Sequence, residues 1–275
     1  MSVAVLSWAL DRLDRGERIA MASVIESSGS VPGKPGAKMV ISSKGCKFGT
    51  VGGAGLELKV EGALRNLLSD GPVRGRKSGG RVETFLLHKD GGSDDVSTLD
   101  SLCGGRVTIA MEVLEPMPHI LIAGGGHVGR CVAAVCDTLG WPHSILDCRS
   151  EYSNSERFPS ASELFTMTVD DFLKLEDAKS MSRFTDVIIL GHDWKIDESL
   201  LLGLLDISDE VDAPRIGVIG SNTKWSSFKS SASKSGVDEE SLMSIRCPIG
   251  LEIGADTPEE IALAICAEIL ALERM

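Results

Sequence analysis

Aromatic side chains are scarce in this 275-residue chain, at 4% of the total with a single tyrosine. That scarcity removes the stacking platforms on which single-stranded nucleic acids are held. Positive charge is short as well: 28 lysines and arginines face 40 aspartates and glutamates, for a formal net charge of -12. A surface of that sign repels a phosphate backbone, so no nucleic-acid partner is expected. Long apolar runs are absent too. The amino-terminal stretch MSVAVLSWALDRLDRGERIA meets Asp11, Arg12, Asp14 and Arg15 too early for a signal peptide or a membrane span. It reads as a surface-packed helix, in a cytoplasmic protein with no membrane association. The seven cysteines, Cys46, Cys103, Cys131, Cys136, Cys148, Cys247 and Cys266, include no CxxC pair and no metal-finger spacing. Their odd number argues against a secreted disulfide framework, and no metal site is expected from them.

What the chain does hold is a series of glycine-rich loops beside apolar segments. RIAMASVIES and AKMVIS read as strands, and SSGSVPGKPG between them is a loop with Lys34 at a cationic tip. A further strand, KFGTV, runs into GGAGLELKVEGALRNLLSDG, where Leu56, Val60, Ala63, Leu64, Leu67 and Leu68 carry a helical period. Gly52 and Gly53 precede that helix, whose first amides are free to receive an anion. VETFLLH and GRVTIAMEVLEP complete a smaller α+β unit, and KDGGSDDVSTLDSLCG between them is polar and loop-like. Pro116 and Pro118 mark a boundary, giving domains 1–116 and 117–275.

From His119 onward apolar runs alternate with helical patterns: HILIAG, a helix from about Val128, HSILDC, ELFTM, VDDFLKLED, DVIIL, DESLLLGLL and RIGVIG. Such alternation predicts an α/β domain, a Rossmann-like parallel sheet covered by helices on both faces. The last helix is marked by Thr257, Pro258 and Glu260 as cap, first helical residue and capping-box partner.

Gly124, Gly126 and Gly129 form a GxGxxG pattern directly after a strand and opening a helix, with Asp147 ending the next strand. In that setting Gly124 permits the tight turn, Gly126 lets a phosphate approach the backbone, and Gly129 lets helix and strand pack closely. Asp147 is placed to accept from ribose hydroxyls. His127 either donates to a phosphate or is a solvent-facing turn residue, and Arg149 either meets phosphate or pairs with Asp147 or Glu151. GHDWKIDESLL puts His192 and Asp193 just past a strand, where with Asp197 they either serve a metal or, as its place before Glu198 and the leucines favours, Asp197 is a helix cap. A dinucleotide-type loop points to NAD(P), and hence to an oxidoreductase, but no hydride-transfer constellation accompanies it.

Several segments together resemble one family: IESSGSVPGKPGAKMVI, GTVGGAGLE, CGGRVTIAMEVLEP, ILIAGGGHVG, LDCRSEYSNSERFP, GVIGS and CPIGLEIGADTPEEIALAICAEIL. They are similar, in order, to the XdhC/CoxI family of xanthine dehydrogenase accessory proteins. The resemblance implies an insertion factor rather than a turnover enzyme. Such a chaperone binds the molybdenum cofactor, as molybdopterin or its dinucleotide form, and protects it during sulfuration. It then delivers the cofactor to a molybdenum hydroxylase of the xanthine dehydrogenase type. It further implies a homodimer and a cysteine desulfurase as sulfur donor. The family's GGGxxE pattern falls on Gly52, Gly53, Ala54 and Glu57, with Gly55 where many members have cysteine; CGG falls on Cys103, Gly104 and Gly105. Where many members read GSKRKR this chain reads GSNTKW, keeping Gly220, Ser221 and Lys224. Cys103 and Glu57 are then the candidate chemical residues: a thiol suited to a soft metal or to sulfur, and a carboxylate that is either dipole-stabilised or bonded to pterin nitrogens. Gly52, Gly53, Gly124, Gly126, His127, Gly129, Asp147 and Arg149 are the candidate cofactor-binding set.

Overall fold

The computed structural model of the chain describes residues 2–69, 80–87, 97–99, 104–191, 193–207, 213–221, 225, 226, 228–230, 232, 236, 237 and 239–274. The chain divides into two compact units, Met1–Pro116 and Met117–Arg274.

The first unit contains α1 (Ser2–Asp14), β1 (Ile19–Gly29), β2 (Lys38–Ser42), β3 (Lys47–Gly49), α2 (Ala54–Ser69), β4 (Gly80–Leu87), β5 (Ser97–Leu99) and β6 (Gly105–Leu114). Its sheet runs in the order β3-β2-β1-β6-β4-β5. Alternation along β1 explains why a helix lies on each side of it. Ala20, Ala22 and Val24 join Leu56, Val60 and Leu64 of α2 in one core, while Ile19 and Met21 join Val5 and Ala9 of α1 in another. The register of β1 against β6 shifts between Val24 and Glu26, and past that bulge β1 is largely exposed. The polar stretch after β4 is not loop throughout, because Ser97–Leu99 pairs in parallel with Phe85–Leu87. Backbone pairing built that short strand without any apolar pattern to announce it.

The second unit contains β7 (Ile120–Ala123), α3 (His127–Leu139), β8 (His143–Leu146), β9 (Glu163–Phe165), α4 (Val169–Leu175), α5 (Ala178–Met181), β10 (Asp186–Ile189), α6 (Trp194–Ile207), β11 (Arg215–Val218), α7 (Glu239–Ser244) and α8 (Pro258–Leu272). Its five strands are all parallel, in the order β11-β10-β7-β8-β9. Neighbouring residues along each strand point to opposite faces, so a strand covered on both sides must be apolar throughout. Ile120, Ile122, Ile145 and Ile188 pack against Val132 and Cys136 of α3 and Ile265 and Ile269 of α8. Leu121, Ala123, Val187 and Ile189 face the other way, onto Phe172, Leu200, Leu204 and Leu242. The last helix starts as its sequence dictates: Thr257 accepts from the Glu260 amide, and Glu260 accepts in return from the Thr257 amide.

A candidate cofactor cleft at the carboxyl edge of the parallel sheet

The strand order places β7 at the centre, with β8 and β9 to one side and β10 and β11 to the other. From β7 the chain runs outward to β8 and β9, crosses back to β10 and then runs outward to β11 on the other side. Such a reversal between β7 and β10 opens a crevice outside the carboxyl ends of the strands. A cleft of about 340 Å³ occupies that position, lined by Gly124 after β7, by Asp147, Cys148 and Arg149 after β8, and by Gly191 and Asp193 after β10. Met167, Ile196 and Leu200 supply apolar wall. The volume is in the range that takes a small organic ligand.

The glycine loop at its edge is explained residue by residue. Gly124 has φ +116 and lies against the Leu190–Gly191 backbone, where a Cβ would come within 2.8 Å of the Leu190 carbonyl carbon. A Cβ at Gly129 would collide with the Gly124 oxygen and crowd Ile122 at 3.2 Å, so α3 can lie this close to β7 only through glycine. Gly126 differs, because nothing lies within 4 Å of its Cβ position. It is also the N-cap of α3 and provides no side-chain cap, whereas α4, α5 and α8 are capped by Thr168, Asp177 and Thr257. The first amides of a helix have no partner within it, so this end of α3 suits an anion. His127 is exposed and is the first residue of α3. Gly126, His127 and Gly129 belong to this helix start and do not line the cleft.

Asp147 and Arg149 act as one unit. Arg149 donates through Nε to Oδ1 at 2.9 Å and through Nη2 to Oδ2 at 2.7 Å, and its amide donates to Oδ1 at 3.1 Å. The Gly125 amide donates to Oδ2 at 3.0 Å. Each oxygen thus accepts two hydrogen bonds, and Glu151 takes no part. Burial works to raise the Asp147 carboxyl, but the Arg149 side chain and the Arg149 and Gly125 amides outweigh it and hold the group below the usual carboxylate range.

Two contributors fall outside the candidate set drawn from the sequence. Gly125 is buried, and a Cβ there would run into the Tyr152 carbonyl oxygen. Arg157 donates to the Gly125 carbonyl at 2.9 Å and the Gly126 carbonyl at 3.2 Å, turning those carbonyls onto the protein. The third consecutive glycine was a signal for the first; nothing local marked Arg157. Asp197 is not the cap of α6. Asp193 fills that place, its Oδ1 accepting from Lys195 N at 2.9 Å, while Asp197 is buried in the helix beside Gly191. The residue immediately before the helix has the reach to its first amides, so a carboxylate within the leucine-rich stretch is the wrong marker. His192 lies outside the described residues.

In the first unit, Gly52 and Gly53 adopt φ +89 and +77, with Pro32 so close that Cβ atoms would come within 2.6 Å of its atoms. Two glycine loops therefore lie against each other at the start of α2. Thr50 hydrogen-bonds the Glu57 carboxylate and receives the Gly52 amide at 3.0 Å, so half-buried Glu57 helps fix this turn. Cys103 lies outside the described residues. Of the other thiols, Cys136 hydrogen-bonds Cys266 and is buried, which together push it far up, whereas Cys148 is exposed on the cleft. Among the described residues no group of three or more His, Cys, Asp or Glu is arranged to hold a metal, and no helix is long and apolar enough to cross a membrane.

Residues 120–269 match the family model described as the XdhC Rossmann domain, and residues 12–77 match that of the XdhC and CoxI family. An Escherichia coli (strain K12) protein named "Uncharacterized protein YqeB" is 30% identical over 255 residues, covering 92% of this chain and 43% of its own length. A Bacillus subtilis (strain 168) protein, named as a probable xanthine dehydrogenase subunit, is 25% identical over 157 residues, 57% of this chain and 43% of that one. The chain thus spans less than half the length of either relative. A crystal structure described as a xanthine dehydrogenase from Bacillus halodurans aligns with 97% of this chain and 95% of its own at 19% identity and a TM-score of 0.49.

Proposed function

The chain belongs to the XdhC and CoxI family, and from that premise we propose that it is an accessory protein that carries the molybdenum cofactor to a molybdenum hydroxylase of the xanthine dehydrogenase type. The observation that carries this reading is the uncapped α3 terminus beside the cleft at the carboxyl edge of the parallel sheet. A phosphate-terminated pterin, or its dinucleotide form, needs one anion site and one pocket for an organic ring, and the uncapped start of α3 and the cleft support that reading. The amides opening α3 would hold the phosphate with Gly126 giving it room, and the cleft walls would exclude water from the rest. Bound molybdenum supplies the redox chemistry of the hydroxylase; the residues of this chain bind, orient and shield. Within the first unit, Gly52, Gly53 and Glu57 are proposed as cofactor-binding residues and Cys103 as the thiol for sulfur chemistry. Sulfur supply by a cysteine desulfurase, a homodimeric state and a cytoplasmic location belong to the same proposal.

A second reading, an NAD(P)-dependent oxidoreductase, is favoured by the strand order and the glycine loop. The filled acceptor positions of Asp147 weigh against it, because that carboxylate is where a ribose diol would be expected.

The test is anaerobic. The purified chain is mixed with released molybdenum cofactor, separated, assayed for retained cofactor and then added to an apo-hydroxylase. The expected result is retention together with activation, and Gly126→Leu should lower retention at least tenfold with the fold intact, because a Cβ at this N-cap position meets nothing of the protein within 4 Å and adds bulk at the uncapped helix start. Failure to retain cofactor and to activate the hydroxylase, with nicotinamide turnover instead, would sink this function.

A further inference from the structure

The Arg149 guanidinium is held like a shelf. One plane of it lies over the Tyr152 ring at 4.1 Å, its edge is fixed by two hydrogen bonds to Asp147, and the group lines the cleft with 31% of its side chain exposed. Arg157 also lies over the Tyr152 ring, at 5.3 Å, and ties that region to the glycine loop. Asp147 is only 5% exposed and its acceptor positions are filled. Moving Arg149 onto a ligand phosphate, or admitting ribose hydroxyls, would strip donors from a buried carboxylate, which is costly. Leaving the pair intact costs nothing and presents a flat, cationic face.

We infer that Arg149 is a stacking platform for the planar heterocycle of a phosphorylated ligand, and that Asp147 is a positioning residue which holds the platform flat rather than a reader of ribose hydroxyls. This rests on the cofactor-in-cleft reading and specifies its ligand class: a heteroaromatic ring joined to a phosphate or diphosphate, recognised without its sugar hydroxyls. Guanidinium faces stack on any aromatic ring, so the site accepts purines, pyrimidines and pterins alike. A lysine at 149 would keep the charge and lose the face.

The experiment is calorimetric titration of the full chain with ADP, GDP and CDP, each beside its 2′,3′-dideoxy counterpart, and with inorganic pyrophosphate. The expected result is that each pair binds within about threefold of one another, and that pyrophosphate binds at least tenfold more weakly. Arg149→Ala should weaken all the nucleotides about tenfold, and Arg149→Lys should not restore them. Asp147→Asn should weaken ribo and dideoxy forms equally, leaving their ratio unchanged. If the dideoxy forms bind more than tenfold weaker and Arg149→Ala has no effect, Asp147 reads the sugar and the inference is overturned while the cofactor reading stands. If no nucleoside diphosphate binds, the inference is also overturned. Cofactor retention by the parent chain and by Gly126→Leu then decides separately whether the cofactor reading survives.

Discussion

Acid should destabilise the second unit through His119, and the size of the effect follows from where that imidazole sits. It immediately precedes β7, with Nε2 3.0 Å from Ser144 Oγ and its ring edge-on to Phe184 at 4.8 Å. Burial first, and then the positive charge of Arg183 and of His143, pushes its pKa from 6.5 down to about 4. The folded chain therefore keeps the ring neutral where the unfolded chain protonates it. Stability from this group is fully present above pH 6.5, falls as the pH drops below that value, and levels off below about pH 4. Linkage puts the loss at about 1.3 kcal/mol between pH 7.5 and 5.5, and at roughly 3 kcal/mol by pH 4. His119→Gln keeps a polar atom for Ser144 and cannot ionise. Urea unfolding followed by tryptophan fluorescence reports mainly on this unit, because Trp141, Trp194 and Trp225 lie in it and Trp8 does not. The stability difference between pH 7.5 and 5.5 should be about 1 kcal/mol smaller in the variant than in the parent. Equal slopes in the two proteins would refute the reasoning, as would an NMR titration placing His119 at an ordinary histidine pKa in the folded chain.

Two further outcomes are expected. Gly125→Ala forces a methyl group toward the Tyr152 carbonyl and within 3.2 Å of the Phe158 ring, so overpacking should cost about 1–3 kcal/mol. A thermal scan should show Tm falling by roughly 2–10 °C, in contrast to an unchanged Gly126→Leu; equal Tm values for the two would contradict the loop geometry. Asp186→Ala removes a fully buried carboxylate that holds Arg215 at 2.6 Å and Arg246 at 2.5 Å. Urea titration should show a loss of about 3–5 kcal/mol, and a loss below about 1 kcal/mol would mean that the two arginines find other partners.

The parts of this molecule that were legible in its sequence are those set by local period and backbone demand. The apolar runs 120–123 and 187–189 read as buried strands, and the Gly124, Gly126 and Gly129 spacing matches the turn, the open Cβ position and the close packing that the structure shows. What escaped were interactions between residues whose meeting depends on tertiary placement. Arg149 had two readings, and only the fold showed its fork meeting Asp147 while its face met Tyr152. Arg157 reaches the glycine loop from 31 residues away, a distance no local pattern encodes. Asp197 was misread for a different reason. A carboxylate near a helix start satisfies the same residue preference whether it caps or is buried, and it is the Asp193 side chain that takes the Lys195 amide.

The two edges of the parallel sheet divide the work. At the amino edge, His119 and His143 stand at the entries to β7 and β8, Glu163 at the start of β9 meets Arg183, and Asp186 at the start of β10 meets Arg215 at the start of β11. Arg183 also holds Glu176, and Arg246 bridges Asp186 to Glu268 at the far helix. The carboxylates and guanidiniums here pair with one another, although His143 Nε2 and Arg246 Nε stay buried without a hydrogen-bond partner, so this edge contributes mainly to stability. At the carboxyl edge the strands run out into Gly124, Asp147 and Gly191, with an uncapped helix and a cleft between them. Sites this far apart with no shared partners should respond independently. Asp186→Ala should therefore lower stability while leaving nucleotide affinity of the folded fraction unchanged, whereas Arg149→Ala should weaken nucleotide binding and, by stripping two donors from the buried Asp147 carboxylate, lower stability as well. If Asp186→Ala weakened binding in step with stability, the sheet would be transmitting strain from one edge to the other, and the cleft would have to be understood as part of the folding core rather than as a surface laid over it.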